Sequence, residues 1–138
     1  MTVTPGLFEQ VRLRAQAACE YCGVTENDSA ALLTIDHYQP QVHGGVSDLD
    51  NLLYRCNLYK ADYWPTRPGD LPLWNPRREP MTVHFLLLMD GTLHPISPTG
   101  AFTLKRFRLN RPPLVAYRLQ KRFHADQGRL LARYENLV

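Results

Sequence analysis

Long apolar runs are missing from this 138-residue chain, and the strongest, Phe85-Leu86-Leu87-Leu88-Met89, is far too short to span a bilayer. The N-terminus also lacks the charged, apolar and small-residue succession of a secretory leader, so a cytoplasmic protein with no membrane partner is expected. Cysteine is scarce: Cys19, Cys22 and Cys56 are too few for a disulfide framework and read as reduced thiols. Acidic residues are nearly absent from the C-terminal end. Residues 1–98 hold 7 Lys+Arg against 11 Asp+Glu, a balance of −4, whereas residues 99–138 hold 9 against 2, a balance of +7. Such an end attracts a phosphate backbone through counterion release, without sequence preference.

The informative segment runs from Leu33-Thr34-Ile35-Asp36-His37-Tyr38-Gln39-Pro40 through Gly44-Gly45 and Asn51-Leu52 to Cys56-Asn57-Leu58-Tyr59-Lys60. It gathers a carboxylate, an imidazole and two amides, the equipment of a one-metal phosphodiesterase. His37 suits a general base, because an ordinary imidazole is mostly neutral at physiological pH and can accept a proton from water. Asp36 and Asn57 suit a hard cation, Mg²⁺ or Mn²⁺, since oxygen ligands in small number leave positions open for water and phosphate. Asn51 reads as a brace rather than a ligand, bonding backbone groups of the loop after His37.

Successive strand residues face opposite ways, so Asp36 and His37 can converge only where a strand ends. Pro40 and Gly44-Gly45 supply that end, and Ala31 to Ile35 supplies the strand. Residues Asp50 to Ala61 then read as a turn entering a helix that presents Asn57 to the strand end, making a β-β-α unit around one metal.

Along the rest of the chain, Thr4 and Pro5 look like the N-cap and first residue of a helix running to about Ala18, with Leu7, Val11, Arg14 or Ala15, and Ala18 inward and Phe8 beside them. Arg12 and Arg14 could face nucleic acid, though for Arg12 a solvated position on a packing helix is the better reading. Val42 to Ser47 is expected as a Gly-containing loop or hairpin, and residues 64–76 as an irregular Pro-rich linker. Val83 to Met89 and Thr92 to Ile96 flank Asp90-Gly91, a two-residue hairpin signal. Helices are expected over Thr99 to Arg108 and from Pro112 to Arg122 or further. The fold class is therefore α+β, divided into a unit at 1–63 and a basic extension at 64–138 packed on it. Trp64 and Trp74 read as core plugs, His84 as a satisfied, partly buried histidine, and Tyr54, Tyr59, Tyr63 and Phe102 as packing residues by default. Arg77 and Arg78 could clamp a phosphate through their planar forks, with Lys105, Arg106 and Arg108 adding charge.

The segment resembles the HNH endonuclease family (ββα-metal or His-Me finger nucleases), whose pattern runs Cys-x-x-Cys, Asp-His-x-x-Pro, Gly-Gly, Asn-Leu, then Cys-x-x-Cys-Asn-x-x-Lys. The resemblance covers residues 12–60, and the later Asn75-Pro76-Arg77 and His84-Phe85 resemble the extension of small bacterial HNH proteins. It implies His37 as base, Asp36 and Asn57 as metal ligands, Asn51 as the middle asparagine, Lys60 as the lysine after the metal asparagine, and Cys19 and Cys22 as a first knuckle. It further implies a DNA endonuclease that nicks one strand per active site, with two copies needed to cut both; RNA is not separated from DNA. The chain departs from the pattern at Cys56, which lacks a partner cysteine, and in the Asn51-to-Asn57 segment, which is short by about three residues. Inside a helix that loss would turn the ligand by about 60° and shift it by about 4.5 Å, whereas in a loop it can be absorbed. A shortened loop is the expectation. Three thiols leave a structural Zn²⁺ one ligand short. The alternative function is a catalytically weakened nucleic-acid binder, or an interaction module of a defence or mobile-element complex.

Overall fold

The computed structural model describes residues 3–29, 33–56 and 60–137. In chain order these form helix α1 (Pro5–Arg14), strands β1 (Thr34–His37) and β2 (Leu52–Arg55), strands β3 (Phe85–Leu87) and β4 (Leu93–Pro95), and helices α2 (Pro98–Phe107) and α3 (Pro112–Leu137). The architecture is α+β: two separate antiparallel strand pairs with helices at either end.

Helix α1 opens as its sequence dictates, with Leu7 N donating to Thr4 Oγ1 at 3.2 Å and Pro5 in the first turn, where a missing N–H costs nothing. It stops four residues short of the expected Ala18. Gln16 and Ala17 take the left-handed backbone (φ 56° and 55°), turning the chain so that Ala18 pairs with Thr25 and Cys19 N reaches Val24 O at 2.9 Å. Each such non-glycine turn costs roughly 1–2 kcal/mol. The helix end is fastened instead by ions: Arg14 donates to Leu49 O and Leu52 O, and with Arg77 it flanks the buried carboxylate of Glu20, at 3.7 and 2.7 Å. Arg12 bonds Glu26 through two nitrogens at 2.6 and 2.9 Å. Neither α1 arginine is therefore turned outward for a nucleic acid, as the sequence had suggested.

The expected helix over Asp50 to Ala61 is not formed by its first half. Leu49–Asn51 is a single 3-10 turn and Leu52–Arg55 is β2, paired with β1 in the register Asp36↔Leu53 and His37↔Leu52. Leu52, Leu53 and Tyr54 are all buried, so this strand is covered on both faces and its sequence carries no alternation. A short continuous apolar run cannot be told from a buried helix by period alone. Asn57 and Tyr59 lie outside the described residues, as do Ala31 and Leu32 of the expected first strand.

One aromatic cluster joins the two halves of the chain. Tyr21 meets Phe107 edge-on at 4.7 Å and Trp74 at 5.6 Å, and Trp74 meets Phe85 at 5.7 Å. Trp74 is the plug expected, its indole N–H donating to Glu79 O at 2.9 Å; Trp64 is only half-buried, against Tyr38. His84 is buried and satisfied by Ser97 and Glu79. The β3–β4 turn is longer than two residues: Leu88 N bonds Thr92 O, and Gly91 (φ 86°) supplies the left-handed step of a three-residue loop. A side chain there would strike Leu119 and Val115 of α3 at 2.8 Å. Among the described residues, no helix is long and apolar enough to cross a membrane.

Glu20 holds two cationic side chains inside the fold, so Glu20→Ala should cost about 3 kcal/mol in urea unfolding, the scale for stranding a buried ion partner. A loss under about 1 kcal/mol would show the cluster to be solvated.

Candidate active site and cysteine cluster

Asp36 and His37 close strand β1, and the loop that follows returns to β2 at Asn51. The amide of Asn51 fixes this loop at three backbone atoms: its Oδ1 accepts from Gln39 N at 2.8 Å, and its Nδ2 donates to Gln39 O at 3.0 Å and Val46 O at 2.9 Å. Its own carbonyl accepts from Tyr38 N at 2.9 Å. Gly45 lies against the same carbonyl, where a Cβ would stand 1.7 Å from Gln39 O and 3.0 Å from Asn51 Nδ2. No side chain fits. Gly44 takes φ 86° beside it, which explains the paired glycines.

The braced loop delivers a residue that the sequence did not announce. Ser47 Oγ lies 2.8 Å from His37 Nε2 and accepts a longer bond, 3.4 Å, from Gln41 Nε2. Nδ1 of His37 has no partner among the described residues, and in the tautomer in which Nε2–H donates to Ser47 it keeps its lone pair. Burial pushes the His37 pKa below the ordinary imidazole value, against the attraction of Asp36, and so favours the neutral ring. A neutral imidazole with one nitrogen held and the other free is the form a general base requires. A serine ten residues downstream offered no signal beyond lying in the same loop.

Asp36 is engaged on both oxygens: Oδ1 accepts from His37 N at 2.8 Å and Oδ2 from Arg55 Nε at 2.8 Å. Arg55, a diagonal neighbour across the strand pair, was not anticipated. A hard divalent cation is commonly held by one or two carboxylates plus water and phosphate, so the donor set at Asp36 fits such an ion in kind, with Arg55 as its competitor. Asn57, the other expected ligand, lies outside the described residues.

Lys60 is wholly buried and its Nζ has no hydrogen-bond partner among the described residues. Burial lowers its pKa, opposed by the attraction of Asp36. It is therefore not a surface contact for a phosphate backbone in this structure. Arg77 is likewise committed, to Glu20, and Arg106 donates to Lys60 O at 3.0 Å while lying over the Tyr63 ring at 4.7 Å. Arg78, Lys105 and Arg108 of the expected basic set stand exposed.

The three thiols converge, with their sulfurs within 4.8 Å of one another and Cys22 Sγ 3.4 Å from Cys56 Sγ. Hydrogen bonds from Cys22 and Cys56 hold the Cys19 thiol far below its usual pKa, and the bond with Cys19 pushes the Cys56 thiol up to about 11. Thiolates at this spacing suit a soft or borderline cation such as Zn²⁺, for which three ligands are in place.

Residues 19–58 match the family model described as HNH endonuclease. This segment is an HNH unit. It begins at the first cysteine of the cluster and contains Asp36, His37, Ser47, Asn51 and Arg55, so the HNH match and the braced loop coincide. Nuclease-type activity on nucleic acid is the class the HNH unit indicates. Comparison with curated proteins and with solved structures finds no match.

The HNH loop depends on the absence of a side chain at Gly45, so Gly45→Ala should lower the unfolding free energy by about 2 kcal/mol or more and loosen amide protection at Gln39. Hydrogen exchange at that amide, compared with a distant control in α2, distinguishes local loosening from global loss.

Proposed function

We propose that the chain is a divalent-metal-dependent DNA endonuclease that hydrolyses one phosphodiester bond per active site. The observation that carries this reading is the held imidazole: His37 Nε2 on Ser47, with Nδ1 left to take a proton from the attacking water. Asp36 and, by the family pattern, Asn57 would hold Mg²⁺ or Mn²⁺. When bound, the cation neutralises charge on the leaving oxygen. Asn51 is a positioning residue, since its three bonds fix the loop from which Ser47 reaches the ring. Arg55, now paired with Asp36 at 2.8 Å, would give up that carboxylate to a bound metal and be available to a phosphate oxygen. The exposed Arg78, Lys105 and Arg108 supply backbone attraction, and cutting both strands takes two copies.

A second reading, the catalytically weakened binder, draws on the Asp36–Arg55 pair, which already neutralises the carboxylate at 2.8 Å. Supercoiled plasmid incubated with the protein and Mg²⁺ or Mn²⁺ separates the two. The nuclease gives nicked circles, with His37→Ala slowing nicking by about 10²–10⁴-fold while binding persists. Binding that weakens with salt, without nicking at any metal concentration, would favour the binder.

We also assign the three-cysteine cluster to Zn²⁺, with one further ligand closing the tetrahedron. Protein prepared with zinc should carry about one ion per chain, released on titrating the thiols with a mercurial. Cys19→Ser should abolish retention, and wild-type protein without zinc after such preparation would refute the assignment.

A further inference from the structure

Beside the HNH loop lies a groove of about 650 Å³. Its wall is aromatic. Trp64, half-buried, meets the Tyr38 ring edge-on at 5.6 Å and 85°, and Tyr38 is anchored by its hydroxyl donating to Leu73 O at 2.5 Å. Asn75 also lines the groove and is 7% exposed. Its Oδ1 accepts from Arg77 N at 3.0 Å, while its Nδ2 has no partner among the described residues. An amide donor of a groove-lining residue without a protein acceptor is available to a ligand that brings one.

The charges select what enters. Asp48, Asp50 and Glu79, the last also bonded to His84, line the same groove with one exposed guanidinium, Arg78. A phosphate pushed inward would meet carboxylates, whereas a base edge would find acceptors for its N–H groups, a donor in Asn75 and a ring in Trp64 to stack upon. Tyr38 directly follows His37 in the chain, so an occupant of the groove adjoins the strand end at which the scissile phosphate would lie.

We propose that this groove is a subsite for an unpaired nucleobase of the strand being cut, seated base inward with its phosphates toward His37 and Arg78. The proposal rests on the nuclease reading and adds a substrate class to it: strands with an unpaired nucleotide next to the cleaved bond. A base within an intact duplex cannot reach the groove without unstacking, which costs energy that a single strand or mismatch does not pay.

The test measures binding and so does not depend on cleavage. Fluorescence anisotropy of a labelled DNA, offered as a single strand, as a fully paired hairpin, and as a hairpin with one bulged nucleotide, would be read at fixed salt without metal. Single-stranded and bulged forms should bind about tenfold more tightly than the paired one, with Trp64→Ala removing the difference and Trp64→Phe restoring most of it. Replacing the bulged nucleotide by an abasic residue should have the effect of Trp64→Ala. Equal affinity for the three DNAs, or a preference that survives Trp64→Ala, would overturn the proposal. So would full competition by a free deoxynucleoside monophosphate at the strand's own concentration, or Trp64-dependent binding of a lysine-rich peptide in place of DNA. If plasmid nicking fails while the bulge preference holds, the nuclease reading falls alone; nicking without the preference removes only the subsite.

Discussion

The amide of Asn51 is the contact on which the site depends. One planar group, with its acceptor on Gln39 N and its donors on Gln39 O and Val46 O, closes a loop of more than ten residues whose own backbone makes few regular bonds. Loop closure of this length costs entropy that grows only slowly with length, so a few well-placed bonds of about 1 kcal/mol each suffice, provided no side chain intrudes. Gly45 meets that condition. Everything that approaches the imidazole follows from the closure: Ser47 is brought to Nε2, Gln41 to Ser47, and Tyr38 and Gln39 form the edge of the neighbouring groove.

Electrostatics around Asp36 then decide what the site can hold. A carboxylate contacted by one arginine gains about 4 kcal/mol of attraction at 4 Å in a medium of effective dielectric near 20, and a divalent cation at the same distance doubles that figure. The doubly charged ion wins only if Arg55 finds another anion when displaced, and a nucleic-acid phosphate is such an anion. Metal and substrate would therefore assist each other at this site, each removing the obstacle the other faces. Buried Lys60 adds to the same field, being attracted by Asp36 and having no partner for its Nζ among the described residues.

The sequence disclosed the parts of the site that depend on residue type and concealed those that depend on partners. Asp36, His37, the paired glycines and the bracing Asn51 could be read because each has a chemistry that its neighbours in sequence support. The caps Thr4 and Ser97 are equally local, with both hydroxyls accepting from backbone N–H groups three residues on. Leu52 to Tyr54 was misread as helix because burial on both faces erases the alternation that marks a strand. Arg77 and Arg106 looked free in sequence, yet Glu20 lies 57 residues before Arg77 and Lys60 lies 46 before Arg106, and such long-range partners leave no local trace.

The missing fourth cysteine is intelligible in the same terms. The knuckle that carries Cys19 and Cys22 is held by backbone bonds, Cys19 N to Val24 O, Gly23 N to Cys19 O and Glu20 N to Tyr54 O, each at 2.9 Å. Tyr21, between the two cysteines, is fixed from the other side by Trp74 and Phe107, residues of the extension. The extension thus supplies, by aromatic packing worth about 0.5–1.5 kcal/mol per ring pair beyond the area buried, a clamp that an isolated knuckle would need a fully ligated ion to provide. A cation at the three thiols would strengthen a geometry that the fold already enforces. The position of β2, whose start follows Asn51 of the loop, does not rest on a fourth ligand.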